Sequence, residues 1–219
     1  MASSVDKLTP LQREVIEAFF DREAGFRLTG GAALAGFHLG HRSSDDIDLF
    51  TSDGDAFERG PFVLREVARV VGAETEVRLH APSFARYAVR RGESEAVVVD
   101  LVLDPVPVAF AVKEETGPIR IDPIEEILVN KLTCILSRAE ERDLVDLYFI
   151  EQKGLRIEEF FAAAMAKDGG CTPAVLAWLL SQIRIPDGIE LAGGVSPADL
   201  RQFVDGLIVR LRHMAAPEA

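Results

Sequence analysis

Cysteine is scarce in this chain: Cys134 lies within an apolar helical pattern, Cys171 stands just before Thr172-Pro173, and neither belongs to a CxxC or a Cys/His cluster. That sets aside a disulfide framework and a thiolate metal centre, and both thiols read as reduced and structural. A basic surplus is missing as well. The formal net charge is −12, and residues 1–120 carry 14 basic and 20 acidic groups while residues 121–219 carry 10 and 16. Neither part is a basic nucleic-acid module, and a polyanionic partner must be held by a local patch or by bound metal against the repulsion of the whole. Long hydrophobic runs are also absent: the stretch from Ala96 to Val112 is cut by Asp100, Asp104, Pro105 and Pro107, so nothing spans a bilayer. The first seven residues, Met1 to Lys7, lack the basic start and apolar run of a secretory signal. A cytoplasmic location is the expectation. No internal repeat or low-complexity tract is visible.

What is present suffices for a proper core, since 219 residues with 48% hydrophobic content can form one large domain or two small ones. Thr9-Pro10-Leu11-Gln12 combines an N-cap, a proline at N1 and a glutamine at N3, and Leu11, Val15, Phe19 and Phe20 follow at helical spacing until Gly25. Phe26-Arg27-Leu28 reads as a short strand, Gly30-Gly31 as a tight turn, and Ala32 to Leu39 as a short helix ended by Gly40. Asp46-Ile47-Asp48-Leu49-Phe50 alternates like a half-buried strand, and a helix is predicted over residues 62–71. Strands follow at 76–79, 84–90 and 96–103, with Gly92 turning between the last two; the third, nearly all apolar, should be central. From Asp122-Pro123-Ile124-Glu125 the pattern is helical to the end, with further starts at Thr172-Pro173 and Ser196-Pro197. The reading is an α+β fold, with a mixed sheet and flanking helices over residues 1–120 and a helical domain over 121–219.

Three carboxylates carry the chemistry. A period of two puts Asp46 and Asp48 on one face of their strand, where their repulsion is relieved if a divalent cation neutralises them. Asp100 stands in the middle of Val97-Val98-Val99-Asp100-Leu101-Val102-Leu103, where a buried charge costs several kcal/mol unless paired or metal-bound (roughly 3–5 for a broken pair). If the two strands are neighbours, the three aspartates complete a two-metal site. The plainer alternatives are an Asp-x-Asp that is only a solvated turn approach, as Asp45 and Asp53-Gly54-Asp55 are taken to be, and an Asp100 paired with an arginine such as Arg27. The strand, Gly30-Gly31 and helix start add exposed N–H groups and a positive dipole end suited to a triphosphate. The spacing of Gly30, Gly31 and Gly36 excludes the dinucleotide fingerprint, no Gly-Lys-Ser/Thr makes a P-loop, and the acidic run near Asp48–Asp55 lacks EF-hand spacing.

Leu28-Thr29-Gly30-Gly31-Ala32-Ala33-Leu34-Ala35 followed by His41-Arg42-Ser43-Ser44-Asp45-Asp46-Ile47-Asp48-Leu49-Phe50 resembles the opening motif of the nucleotidyltransferase superfamily that includes DNA polymerase β. The Arg-x-Ser-x-Asp-x-Asp-Leu-Phe form is similar to the AbiEii/AbiGii toxin family of abortive-infection and toxin-antitoxin systems. A second block, Glu126 to Leu132 with Lys131, then Arg138 and Arg142-Asp143-Leu144-Val145-Asp146-Leu147, resembles that family's lysine helix and its following segment. The resemblance covers roughly residues 28–150. It implies that Asp46 and Asp48 bind two Mg2+ ions and that Asp100 binds one and helps deprotonate the attacking hydroxyl. It further implies that Gly30, Gly31 and Ser44 hold phosphate oxygens of an NTP and that Lys131 neutralises the triphosphate. Arg42 would do the same or support the loop, and Asp143 and Asp146 would orient Lys131 or Arg138 or form structural salt bridges. Where the superfamily often has Gly-Ser this chain has Gly30-Gly31, so the missing hydroxyl must come from Ser44 or Thr29. By the same resemblance the acceptor is tRNA, the consequence is growth inhibition, and a separate antitoxin neutralises it. Rival expectations are a small-molecule enzyme of the aminoglycoside-modifying type, which the net charge suits, and a catalytically silent nucleotide-binding protein. An RNA acceptor would need Arg86, Arg90 and Arg91 on the hairpin and Lys131, Arg138 and Arg142 on the helices as its basic footprint. His38 and His41, flanking Gly40, are read as surface or capping residues.

Overall fold

The computed structural model describes residues 6–111, 117–138 and 140–216, and the chain divides into two compact units, Met1–Pro123 and Ile124–Ala219. In the first, α1 (Pro10–Phe20) opens on a complete capping box, with the Thr9 side chain accepting from the Gln12 N–H and the Gln12 side chain accepting from the Thr9 N–H. Strand β1 (Arg27–Thr29) runs into α2 (Gly30–Ala33), which widens into a π-turn over Leu34–His38. Then come β2 (Asp46–Thr51), α3 (Gly54–Val70), β3 (Glu74–Ala81), β4 (Phe84–Arg91) and β5 (Glu95–Leu103).

These five strands form one mixed sheet in the order β1-β2-β5-β4-β3, with β2 and β5 parallel and the other neighbours antiparallel. The apolar strand β5 is central, as its composition requires. Ile47, Leu49, Val97, Val99 and Leu101 are buried on the face covered by α1 and α3, together with Phe19, Phe26, Leu64 and Val67. The opposite face carries the aspartates. Helix α3 starts eight residues before the predicted position because Asp53 caps it, its side chain accepting from the Asp55 N–H, and because Ala56 and Phe57 are buried. Gly60-Pro61 reads as a breaker in sequence, yet Gly60 is where helix and sheet touch: a Cβ there would lie 3.0 Å from both Leu101 and Phe26.

The second unit holds α4 (Ile124–Ser137), α5 (Glu141–Gln152), α6 (Phe161–Lys167), α7 (Pro173–Gln182) and α8 (Pro197–Ala215). Thr172 and Ser196 cap α7 and α8 as predicted, accepting from the N–H groups of Val175 and Asp199. Leu132, Ile135, Leu144, Leu147, Leu176, Leu180, Leu200 and Leu207 are buried, and Tyr148 meets Phe203 edge-on at 5.6 Å. Cys171 is buried, Cys134 is partly so, and the two are not joined in a disulfide. Among the described residues no helix is long and apolar enough to cross a membrane.

Candidate active site

Parallel pairing of β2 and β5 sets Asp46 opposite Val98 and Asp48 opposite Asp100. Each of Asp46, Asp48 and Asp100 offers a carboxylate oxygen, and these oxygens lie within 4.8 Å of one another. Three hard anionic ligands so close to each other suit a divalent cation of the magnesium class and not a thiophilic metal. On the far side of β2, Thr29 of β1 pairs with Asp48, and its buried hydroxyl has no hydrogen-bond partner.

The glycine pair is required by this crowding. Gly30 adopts φ +64°, and a Cβ on it would lie 2.1 Å from Asp48 Oδ2; only glycine takes that conformation at so short an approach. A Cβ on Gly31 would meet Ser44 Oγ at 2.6 Å and the Arg42 guanidinium at 3.1 Å. Ser44 thus fills the space that a side chain at position 31 would take, and its hydroxyl donates to Asp46 Oδ1 at 3.0 Å. The loop that brings it there is fixed from α1, since Gln12 Nε2 donates to the Ser44 carbonyl at 2.7 Å, and Arg42, itself buried, donates to the Ser43 carbonyl at 2.8 Å. His38 donates from Nε2 to the Asp122 carbonyl at 2.8 Å, a structural bond.

Asp100 has an arginine partner, but it is not Arg27. Arg27 lies beside Asp122, with Nε 3.1 Å from Oδ1, and beside Asp104 at 3.8 Å. Arg86, directly opposite Asp100 in the β4–β5 ladder, donates from Nε to Oδ1 at 2.8 Å and from Nη2 to Oδ2 at 2.6 Å. This residue was placed by sequence in an RNA-binding set and not beside the carboxylates. The signal was available, because counting outward from the Gly92 turn pairs 91 with 95 and therefore 86 with 100. The same alternation divides that set: Arg90 stands on the face of Arg86, 3.7 Å from Glu76, whereas Arg91 faces α1 and is tied to Glu14 at 2.6 Å and Glu95 at 2.8 Å. The hydrogen bonds to Glu95 and then Glu14 raise the Arg91 pKa, and the bond to Arg91 in turn lowers that of Glu95.

In the helical unit Lys131 is buried with its ammonium 2.7 Å from Asp143 and 2.8 Å from Asp146. Burial works against its charge, but the Asp146 and Asp143 carboxylates outweigh that and raise its pKa. Asp146 is fully buried beside Lys131. Arg138, half exposed, approaches the same Asp143 at 3.7 Å and Glu140 at 3.6 Å. Lys131 and Arg138, seven residues apart, thus approach one carboxylate.

The sequence profile described as "Nucleotidyl transferase AbiEii toxin, Type IV TA system" matches residues 15–212. No curated protein matches the sequence significantly. Among solved structures the chain is similar to JHP933 from Helicobacter pylori, with 21% identity, a TM-score of 0.54, and coverage of 94% of this chain and 92% of that one. It is also similar to MenT4, a nucleotidyltransferase toxin from Mycobacterium tuberculosis, with 16% identity, a TM-score of 0.57, and coverage of 92% and 82%. At these identities the likeness establishes the fold.

Proposed function

Since the chain belongs to the AbiEii nucleotidyltransferase toxin family and is therefore a nucleotidyltransferase, we propose that it moves a nucleoside monophosphate from an NTP to an acceptor hydroxyl, with pyrophosphate leaving. The observation that carries this reading is the in-register pair Asp48 and Asp100 with Asp46 one step along the strand, three ligand oxygens within 4.8 Å. Magnesium held there would neutralise the phosphates and acidify the attacking hydroxyl. The protein's own residues do the rest. Asp46, Asp48 and Asp100 would hold the metal, and Asp100 would take the acceptor proton as the acceptor oxygen bonds to the α-phosphorus and the bond to the β-phosphate breaks. The first-turn N–H groups at Gly30 and Gly31 have no partner within their helix and are assigned to phosphate oxygens, as is the Ser44 hydroxyl once it turns from Asp46. Arg42 braces that loop from beside Gly31. Lys131, kept charged by Asp143 and Asp146, is assigned to the triphosphate, with Arg138 as its auxiliary cation.

The acceptor we assign is tRNA, and the antitoxin is a separate protein, as family membership supports. A small cationic acceptor is the second reading, favoured by the net charge of −12. One assay tests both: α-labelled forms of each NTP with magnesium, offered total RNA and, separately, aminoglycosides. Label in tRNA that disappears with Asp48→Asn while the variant keeps its cooperative melt is the expected result. Wild-type turnover by that variant overturns the metal assignment.

A further inference from the structure

The proposed reaction needs Asp100 on a divalent ion, yet both of its oxygens are engaged by one guanidinium. The Arg86 fork, 2.8 and 2.6 Å long, is the bidentate arrangement that makes arginine–carboxylate pairs strong. Asp100 is 4% exposed and has Asp48 as its neighbour on the other side, so without a cation it would be a buried charge facing a like charge. The two partners differ in freedom. Asp100 is fixed in the central strand, while the Arg86 side chain is 44% exposed and lies over the Phe84 ring at 5.5 Å. The guanidinium can therefore turn into solvent without unpacking the sheet; the carboxylate cannot leave.

We propose that Arg86 is the resident counter-cation of the carboxylate cluster, holding Asp100 until metal enters and setting metal affinity by competing for both of its oxygens. This rests on the two-metal nucleotidyl-transfer reading. Arg86 is then a positioning residue, which acts on the reaction through Asp100. Its loss has two opposite consequences. The metal-free protein is destabilised, because Asp100, buried beside Asp48, loses its bidentate cation. The metal-bound protein gains affinity, because a positive charge beside a divalent ion is gone.

Mn2+ titration, with free ion read by its paramagnetic resonance signal, separates the possibilities without relying on turnover. The proteins to compare are wild type, Arg86→Gln, Arg86→Lys, Asp48→Asn as the metal-site control, and Arg90→Gln as a control on the same strand and face. For R86Q the expected result is about tenfold tighter binding at the weaker site, a lower melting temperature in chelator, and a deficit that closes at saturating Mn2+. R86K, which keeps the charge but loses the fork, should bind more tightly than wild type and less tightly than R86Q; it carries the test if R86Q does not fold without metal. R90Q should match wild type. Wild-type or weaker Mn2+ affinity in folded R86Q or R86K overturns the proposal while leaving the two-metal site standing. A wild-type protein that binds no Mn2+, indistinguishable from Asp48→Asn, overturns the two-metal reading itself.

Discussion

At position 31 a side chain would run into Ser44 Oγ at 2.6 Å and Arg42 at 3.1 Å. Gly31→Ser should therefore lower stability by about 1–3 kcal/mol through overpacking and raise the KM for NTP. Adding Ser44→Gly, which reopens the space, should recover part of both losses. Thermal melts and NTP kinetics on the single and double variants check this, and a G31S protein that behaves as wild type would sink it. Residue identity made the three aspartates and the glycine pair legible; what stayed hidden was how Ser44 and Gly31 share one volume, since that is set by a loop and not by a period. Cys171 makes a second prediction at this scale. Burial pushes its thiol up to about 12 from an ordinary 9.0, so the folded state holds its proton where the unfolded state has lost it. Its stabilising contribution is whole below the ordinary value and falls away as pH rises from 9 towards 12. At pH 8 the native protein should leave Cys171 unmodified by a thiol-reactive dye, and full labelling should need denaturant; rapid native labelling at this position would contradict the burial argument.

Elements were read well where a local signal starts them and poorly where packing overrides one. The Thr9, Thr172 and Ser196 caps are in the sequence because capping is local chemistry. Helix α3 was expected only from residue 62, beyond Gly60-Pro61, and contact with Leu101 and Phe26 shows why glycine belongs inside it. Gln12 combines the two cases. Its oxygen completes the capping box of α1, which the sequence shows, while its amide nitrogen holds the Ser44 carbonyl, 32 residues away. Gln12→Glu keeps an N3 acceptor suitable for the box but turns a carboxylate towards that carbonyl. The buried loss should cost about 1–3 kcal/mol. It should also weaken NTP binding beyond the effect of Thr9→Ala, which removes only the cap at about 1 kcal/mol. Denaturant unfolding and NTP affinity measured on both variants check this; equal NTP affinities would mean that the α1 tether does not position the motif loop.

For the whole molecule, charge decides what the enzyme can take as acceptor. The chain carries a net −12, and the arginines that sequence offered for RNA are each close to an acid: Arg86 to Asp100, Arg90 to Glu76, Arg91 to Glu14 and Glu95, Arg138 to Glu140 and Asp143, Arg142 to Glu140. Sequence could count these cations but could not show that their charge is already matched, because the partners are 2 to 77 residues away. An acceptor RNA therefore releases few counterions. The logarithm of kcat/KM for tRNA labelling should fall with the logarithm of salt concentration with a slope of about −2 to −3, well short of the −6 to −9 of a protein that covers many phosphates. The two hairpin arginines should respond differently to reversal. Arg90→Glu, on the open face with Arg86, should weaken RNA labelling and make the slope shallower by about one while NTP affinity holds. Arg91→Glu breaks the ties to Glu14 and Glu95, so it should lower the melting temperature and leave the salt slope unchanged. A slope steeper than about −5 would mean an extended basic surface that these ion pairs exclude. If RNA takes no label at any salt concentration while aminoglycosides do, the acidic field is selecting a small cation, and the acceptor is not tRNA.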